Sequence, residues 1–136
     1  MLLAASAGGL GAAARFVVDG EIRLRWHGAL PLSTLLINLM GSLLLGLTVG
    51  LAGAVISPAV VAFQGAGPGY AWSLTGLAVV GFCGGFTTFS TAMFEVTQLF
   101  YQRKRWLAAA YLTGSALAAV AAVVVGMTLG MALQRV

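Results

Sequence analysis

Four apolar runs, at about residues 1–18, 32–56, 71–101 and 106–133, take up nearly all of this 136-residue chain. Crossing about 30 Å of hydrocarbon takes about 20 apolar helical residues, so four runs of this size point to four membrane spans. Lipid offers no hydrogen bonds, and a helix satisfies its backbone within one segment. The composition agrees. The chain is 60% hydrophobic and 7% charged, with a mean hydropathy of +1.01, values that exclude disorder and argue against a soluble domain. The reading is one all-α integral membrane domain over residues 1–136, with no extramembrane part to hold an enzyme active site. The first run lacks a basic leading segment and carries Arg15 near its end, so it reads as a mature helix, not a signal peptide.

Between the runs, a polar loop holds Asp19, Gly20, Glu21, Arg23, Arg25 and His27, and Pro31 sits where a helix start tolerates it. Loop 57–69 has no charge, and Arg103-Lys104-Arg105 forms a turn. Trp26, Tyr70, Trp72, Tyr101 and Trp106 all fall at span boundaries, the aromatic belt of a membrane protein, and carry no assigned chemistry. Cys83 is the only cysteine; it excludes an intrachain disulfide and serves as small packing. With four spans, both termini and loop 57–69 share a side that carries one basic residue, Arg135. The other side carries six, Arg15, Arg23, Arg25, Arg103, Lys104 and Arg105. The positive-inside rule places the first and third loops in the cytoplasm. Membrane topology, not nucleic acid, therefore explains the pI of about 10.0.

The third run is interrupted by Gly84-Gly85-Phe86-Thr87-Thr88-Phe89-Ser90-Thr91. Non-helical chain at membrane depth is tolerated only where it is buried in protein or lines a watery path. Within the runs only Arg15 and Glu95 are charged, and such charges are functional candidates by default. Thr88, Thr91, Glu95 and Gln98 are spaced three, four and three apart; Thr34, Asn38 and Ser42 by four; Tyr111 and Ser115 by four. Each set shares a helical face. Tyr111 lies deeper than Trp106, so its hydroxyl needs an internal partner. Gly46/Gly50, Gly81/Gly85 and Gly126/Gly130 are small-xxx-small pairs suited to close helix packing. Three polar stripes beside a helix break suggest a narrow polar path. Hydroxyls, an amide and the positive edge of Phe89 suit a small anion. Carbonyls freed at 84–88 suit a hard cation such as Na⁺.

Gly8-Gly9-Leu10-Gly11 leading to Arg15, the run Leu36-Ile37-Asn38-Leu39-Met40-Gly41-Ser42, and above all the 84–91 motif with Glu95 resemble the CrcB/Fluc fluoride channels over essentially the whole chain. The resemblance implies half of an antiparallel dimer, with its third helix broken mid-membrane, in the plasma membrane. It implies passive export of fluoride, which relieves its toxicity. A structural Na⁺, which is not transported, would be held by the carbonyls of Gly84 and Thr87. Pore residues would be Asn38, Phe89, Ser90, Thr91, Glu95, Tyr111 and Ser115, with Thr34 on the second helix and Arg15 as a vestibule charge.

The pattern departs from the family at Ala92, where a second pore phenylalanine is usual. Phe94 lies about 200° round a helix from that position, which leaves Phe86 as the ring placed to compensate. The basic bias is also uneven for a chain inserting both ways. It predicts a subunit of fixed orientation that pairs with an oppositely oriented homologue to form unequal pores; a dual-topology homodimer is the alternative. A four-helix multidrug exporter would need an early binding-site carboxylate, and the first run has no acid before Asp19. A non-conducting accessory subunit would use the stripes as interhelical glue. An enzyme is disfavoured: His27 is the only histidine, and no catalytic set or phosphate loop is present. Reporter fusions test the orientation. A fusion after Arg105 is expected to report the cytoplasm and a C-terminal fusion the outside; equal signals on both sides would mean dual topology.

Overall fold

The computed structural model describes residues 2–26, 28, 30–51 and 74–134. They form five helices: α1 Leu2–Arg25, α2 Leu32–Leu51, α3 Leu74–Phe86, α4 Phe89–Tyr101 and α5 Arg105–Leu133. Helices α3 and α4 share one apolar span, Gly76–Tyr101, so four spans among the described residues have the length and hydropathy to cross a membrane. The far end of the second run (52–56), loop 57–69, residues 71–73, and Tyr70, Trp72, His27 and Arg135 lie outside the described residues.

Helix α1 corrects one boundary. The sequence reading ends it near residue 18 in a polar loop, whereas the helix continues to Arg25. The polar segment is held helical by two i,i+4 ion pairs, Arg23 Nε to Asp19 Oδ2 at 2.8 Å and Arg25 Nη2 to Glu21 Oε2 at 3.2 Å. In both the acid precedes the base, the favourable order on a helix, and the bases sit near the negative end of the helix dipole. The connection to α2 is then only a few residues long. Its fold-back is pinned by the Trp26 indole N–H donating to the Leu30 carbonyl at 3.0 Å.

The helices pack as two pairs, α1 along α3 and α2 along α5, and α4 lies on α5. Each pair meets at a glycine seam. On the first, a Cβ on Gly11 would collide with the Phe82 carbonyl, and one on Gly85 with the Gly8 carbonyl. On the second, a Cβ on Gly46 would strike the Val123 carbonyl and one on Gly126 the Leu43 carbonyl. Backbone thus lies against backbone. Lipid removes the hydrophobic drive for helix association, so this close contact is a principal source of attraction. Large apolar side chains such as Phe16, Leu117, Val120 and Leu129 are left exposed on the outside, as expected of a surface that meets lipid or another membrane protein.

The turn into α5 closes with Arg103 N–H to the Phe100 carbonyl and Lys104 N–H to the Leu99 carbonyl, both at 3.0 Å. Arg103 takes the left-handed conformation, φ 60°, a position that normally favours glycine. Arg105 lies over the Phe100 ring, 5.1 Å from its centre.

The seams make a paired prediction. Gly126→Ala places a methyl on the α2 backbone and is expected to destabilise by about 1–3 kcal/mol. Gly114→Ala, on the same helix with nothing within 4 Å of the new methyl, is expected to be neutral or stabilising. Thermal denaturation in detergent compares the two; equal losses would mean that the seam does not hold the pair together.

Candidate functional site

The interruption between α3 and α4 is built by replacing backbone hydrogen bonds with side-chain ones. Thr87 still bonds back to the Cys83 carbonyl, through its N–H at 2.9 Å and its hydroxyl at 2.8 Å. Thr88 does not continue the helix, with φ −146° and ψ 119°. In a continuous helix its N–H would reach the Gly84 carbonyl. Instead it donates to Asn38 Oδ1 on α2 at 2.8 Å, while Asn38 Nδ2 donates to the Thr88 carbonyl at 3.0 Å. The next α-turn starts with Thr88 as N-cap: its hydroxyl oxygen accepts the Thr91 N–H at 3.3 Å and donates to the Thr91 hydroxyl at 3.0 Å. In a continuous helix the Thr91 N–H would have gone to the Thr87 carbonyl. The two diverted donors are thus the helical partners of Gly84 and Thr87. Backbone carbonyls at such a break, Gly84 and Thr87 among them, are of the kind that hard cations prefer.

Below the break, Glu95 on α4 is buried and gathers α1, α2 and α5. Thr34 on α2 donates to Oε1 at 2.7 Å, Tyr111 on α5 donates to Oε2 at 3.0 Å, and Arg23 Nη2 on α1 donates to Oε1 at 3.1 Å. Arg23 is held in turn through its Nε by Asp19. A carboxylate out of water must be paired and hydrogen-bonded, and here it has one cation and two hydroxyls. A cavity of about 280 Å³ opens against this group, lined in part by Arg23, Trp26, Ser33, Glu95, Gln98 and Gln102.

The residues singled out from the sequence fall into two groups. Thr34, Asn38, Glu95 and Tyr111 come together inside the subunit, and the internal partner required by Tyr111 is Glu95. Thr34 is 1% exposed, so its hydroxyl acts on Glu95 and not on open space. Thr88 leaves the helical face expected for it, because as N-cap its backbone is extended. Phe89 and Ser90 instead stand on the subunit surface, Phe89 at 76% exposure. Thr91 is half-buried between the two groups. Ser115 is spent locally, its hydroxyl donating to the Leu112 carbonyl at 3.1 Å. Arg15 is half-buried on α1 and makes no ion pair among the described residues. Ala92 is buried, as is Phe86, which stacks on Phe82 with ring centres 5.8 Å apart. Phe86 therefore does not share a face with Phe89 and cannot take over the missing ring.

Arg23 was missed as a site residue because the sequence puts it in a loop and counts it only as a topological charge. The available signal was its spacing of four from Asp19, which extends α1 far enough to reach Glu95.

Comparison with known proteins gives a consistent picture. The family model described as "CrcB-like protein, Camphor Resistance (CrcB)" matches residues 2–127. "Fluoride-specific ion channel FluC 2" of Cutibacterium acnes is 42% identical over 130 residues, 96% of each chain. "Fluoride-specific ion channel FluC 1" of Leifsonia xyli subsp. xyli is 44% identical over 115 residues, 84% of this chain and 72% of its own. "Fluoride-specific ion channel FluC" of Pyrococcus horikoshii is 35% identical over 124 residues, 90% and 88%. These relatives are named as channels, not enzymes.

The break makes its own prediction. Asn38→Ala leaves the Thr88 N–H and carbonyl without their partner and is expected to cost about 1–3 kcal/mol. Thermal denaturation of the purified protein in detergent reads it; a wild-type melting temperature would show that the Asn38–Thr88 pair is not needed to hold the break.

Proposed function

The chain belongs to the CrcB-like family and is a multi-pass membrane protein; on that premise we propose that it is the subunit of a channel that lets fluoride leave the cell passively. The single observation that carries this reading is the position of the break. It sets Phe89 and Ser90 on the surface of the subunit while Asn38, Thr91 and Glu95 lie behind them. Groups suited to an anion are thus offered on an outer face, and a path along that face needs a second wall.

That wall is a second subunit in the opposite orientation. A two-fold contact uses the same patch twice, so the third span is broken at mid-membrane on both sides of the axis. The Gly84 and Thr87 carbonyls of each subunit would hold a resident Na⁺, which when bound would supply fixed positive charge beside the path. Fluoride sheds its water as it moves along the narrow track. The Phe89 ring edge and the hydroxyls of Ser90 and Thr91 replace that hydration. Asn38 acts first on the Thr88 peptide, and its second N–H remains to face the path. Binding stays weak and multi-site so that ions also leave. The basic bias puts the first and third loops in the cytoplasm. It favours pairing with an oppositely oriented homologue, and so does buried Ala92, which gives this subunit one exposed pore ring near the break. The dual-topology homodimer is the alternative.

The exporter reading is weakened by the state of Glu95. A carboxylate already held by Arg23, Thr34 and Tyr111 is poorly placed to load an organic cation. The accessory-subunit reading takes exposed Phe89 as part of the surface that meets lipid or a partner, and flux separates the two readings.

Fluoride efflux from proteoliposomes, with and without a co-expressed oppositely oriented homologue, tests the proposal. Flux is expected in at least one of these preparations, and Phe89→Ile is expected to abolish it. Thr91→Val is expected to lower it about fivefold, the equivalent of one hydrogen bond of about 1 kcal/mol, with assembly kept. No fluoride flux in either preparation would favour the accessory role.

A further inference from the structure

An anion path that runs past a buried carboxylate poses an electrostatic problem. Unit charges a few ångströms apart repel strongly wherever water is partly excluded, and Glu95 is 6% exposed. Its hydroxyl partners Thr34 and Tyr111 hold it in place but do not change its charge. Only one cation contacts it among the described residues, and that cation comes from α1: Arg23 Nη2 lies 3.1 Å from Oε1. The arginine is itself aimed. Its Nε is fixed 2.8 Å from Asp19 Oδ2, one turn back on the same helix, so the guanidinium holds Asp19 through Nε and Glu95 through Nη2. Asp19 leaves a formal surplus of one negative charge in this set. Arg15, one further turn back at the same i,i+4 spacing, brings the sum of Arg15, Asp19, Arg23 and Glu95 to zero. Both Arg23 and Glu95 border the 280 Å³ cavity, together with the donors Ser33, Gln98 and Gln102.

We propose that Arg23 is the positioning and neutralising residue for Glu95, the residue that lets an anion pass this buried carboxylate. The inference rests on the channel reading above. The Arg23 side chain is 55% exposed and Glu95's is 7% exposed, so the cation stands on the open side of the pair and the carboxylate on the closed side. An anion arriving from the open side meets the guanidinium before the carboxylate. Thr34 and Tyr111 hold the carboxylate oxygens from behind, which keeps Glu95 turned toward Arg23. On this account an unpaired Glu95, not a weakened helix, is what a loss of Arg23 exposes.

Fluoride efflux from proteoliposomes is measured for wild type, R23Q, R23K, E95Q and the R23Q/E95Q double variant, with assembly followed by size-exclusion chromatography in detergent. Wild-type flux comes first: its absence removes the channel reading, and its presence lets the variants judge Arg23 alone. R23Q is expected to cut flux on the order of tenfold or more, the scale of a charge pair losing one member in a partly dried site. R23K, with the charge but without the fork, is expected to fall between R23Q and wild type. The double variant is expected to return to the level of E95Q, because no carboxylate remains to be neutralised. A merely structural arginine would not be rescued in this way. Wild-type flux in R23Q, E95Q flux no higher than that of R23Q, or a double variant well below E95Q overturns the proposal. Should R23Q alone not assemble, an assembled double variant that conducts far below E95Q overturns it equally.

Discussion

Lipid gives no hydrogen bonds, and at the junction of α3 and α4, within one apolar span, the chain leaves the helix and its lost backbone bonds are replaced from within the protein. The replacements come from two side chains. Asn38 takes both polar groups of the Thr88 peptide, and the Thr88 hydroxyl caps the start of α4. Much else depends on these substitutions. They leave the Gly84 and Thr87 carbonyls without their helical donors and let α4 restart at Phe89 on a new line. They also tie α2 to the break, so that the polar stripe of α2 faces the third span. The same arrangement explains why Thr, with a hydroxyl on a short branched stem, occurs twice at this point. Thr87 folds back onto the Cys83 carbonyl and Thr88 reaches forward to Thr91.

Two glycine seams make that tie possible. They bring α1 against α3 and α2 against α5 with backbone in contact, which is what allows side chains as short as Thr34 to reach Glu95 on a neighbouring helix. The Glu95 group then joins α1, α2, α4 and α5 in one hydrogen-bonded cluster. Seam and cluster play different parts. Glycine contacts set how closely helices approach and do little to fix their register, whereas a buried carboxylate with three directional partners permits a single register.

Much of this was legible in the chain. Hydrophobic run length marks spans because bilayer thickness is constant, and a motif as dense in glycine and threonine as 84–91 marks a break because helix and lipid both disfavour it. A spacing of four sets Thr34 and Asn38 on one face, and the depth of Tyr111 beyond Trp106 calls for an internal partner, which is Glu95. The misreadings share a cause. Polarity alone makes the end of α1 a loop, whereas its acids and bases pair at helical spacing and keep it helical to Arg25. Position in the motif offers Phe86 as a substitute ring, whereas Phe86 is buried against Phe82 and Phe89 is exposed.

Residue order was therefore enough to establish the number of spans, the location of the interruption, the asymmetry of basic charge and the family. These are properties of local composition and of matter in a slab of fixed thickness. Which side chains serve the backbone and which are left on the surface came only from the packed helices. Asn38, Glu95 and Arg23 are polar residues on three separate elements, and nothing in their spacing says that one completes a broken backbone, another gathers four helices and the third pairs with it across 72 positions of sequence. Those roles depend on distances between elements, and such distances exist only after the seams have closed.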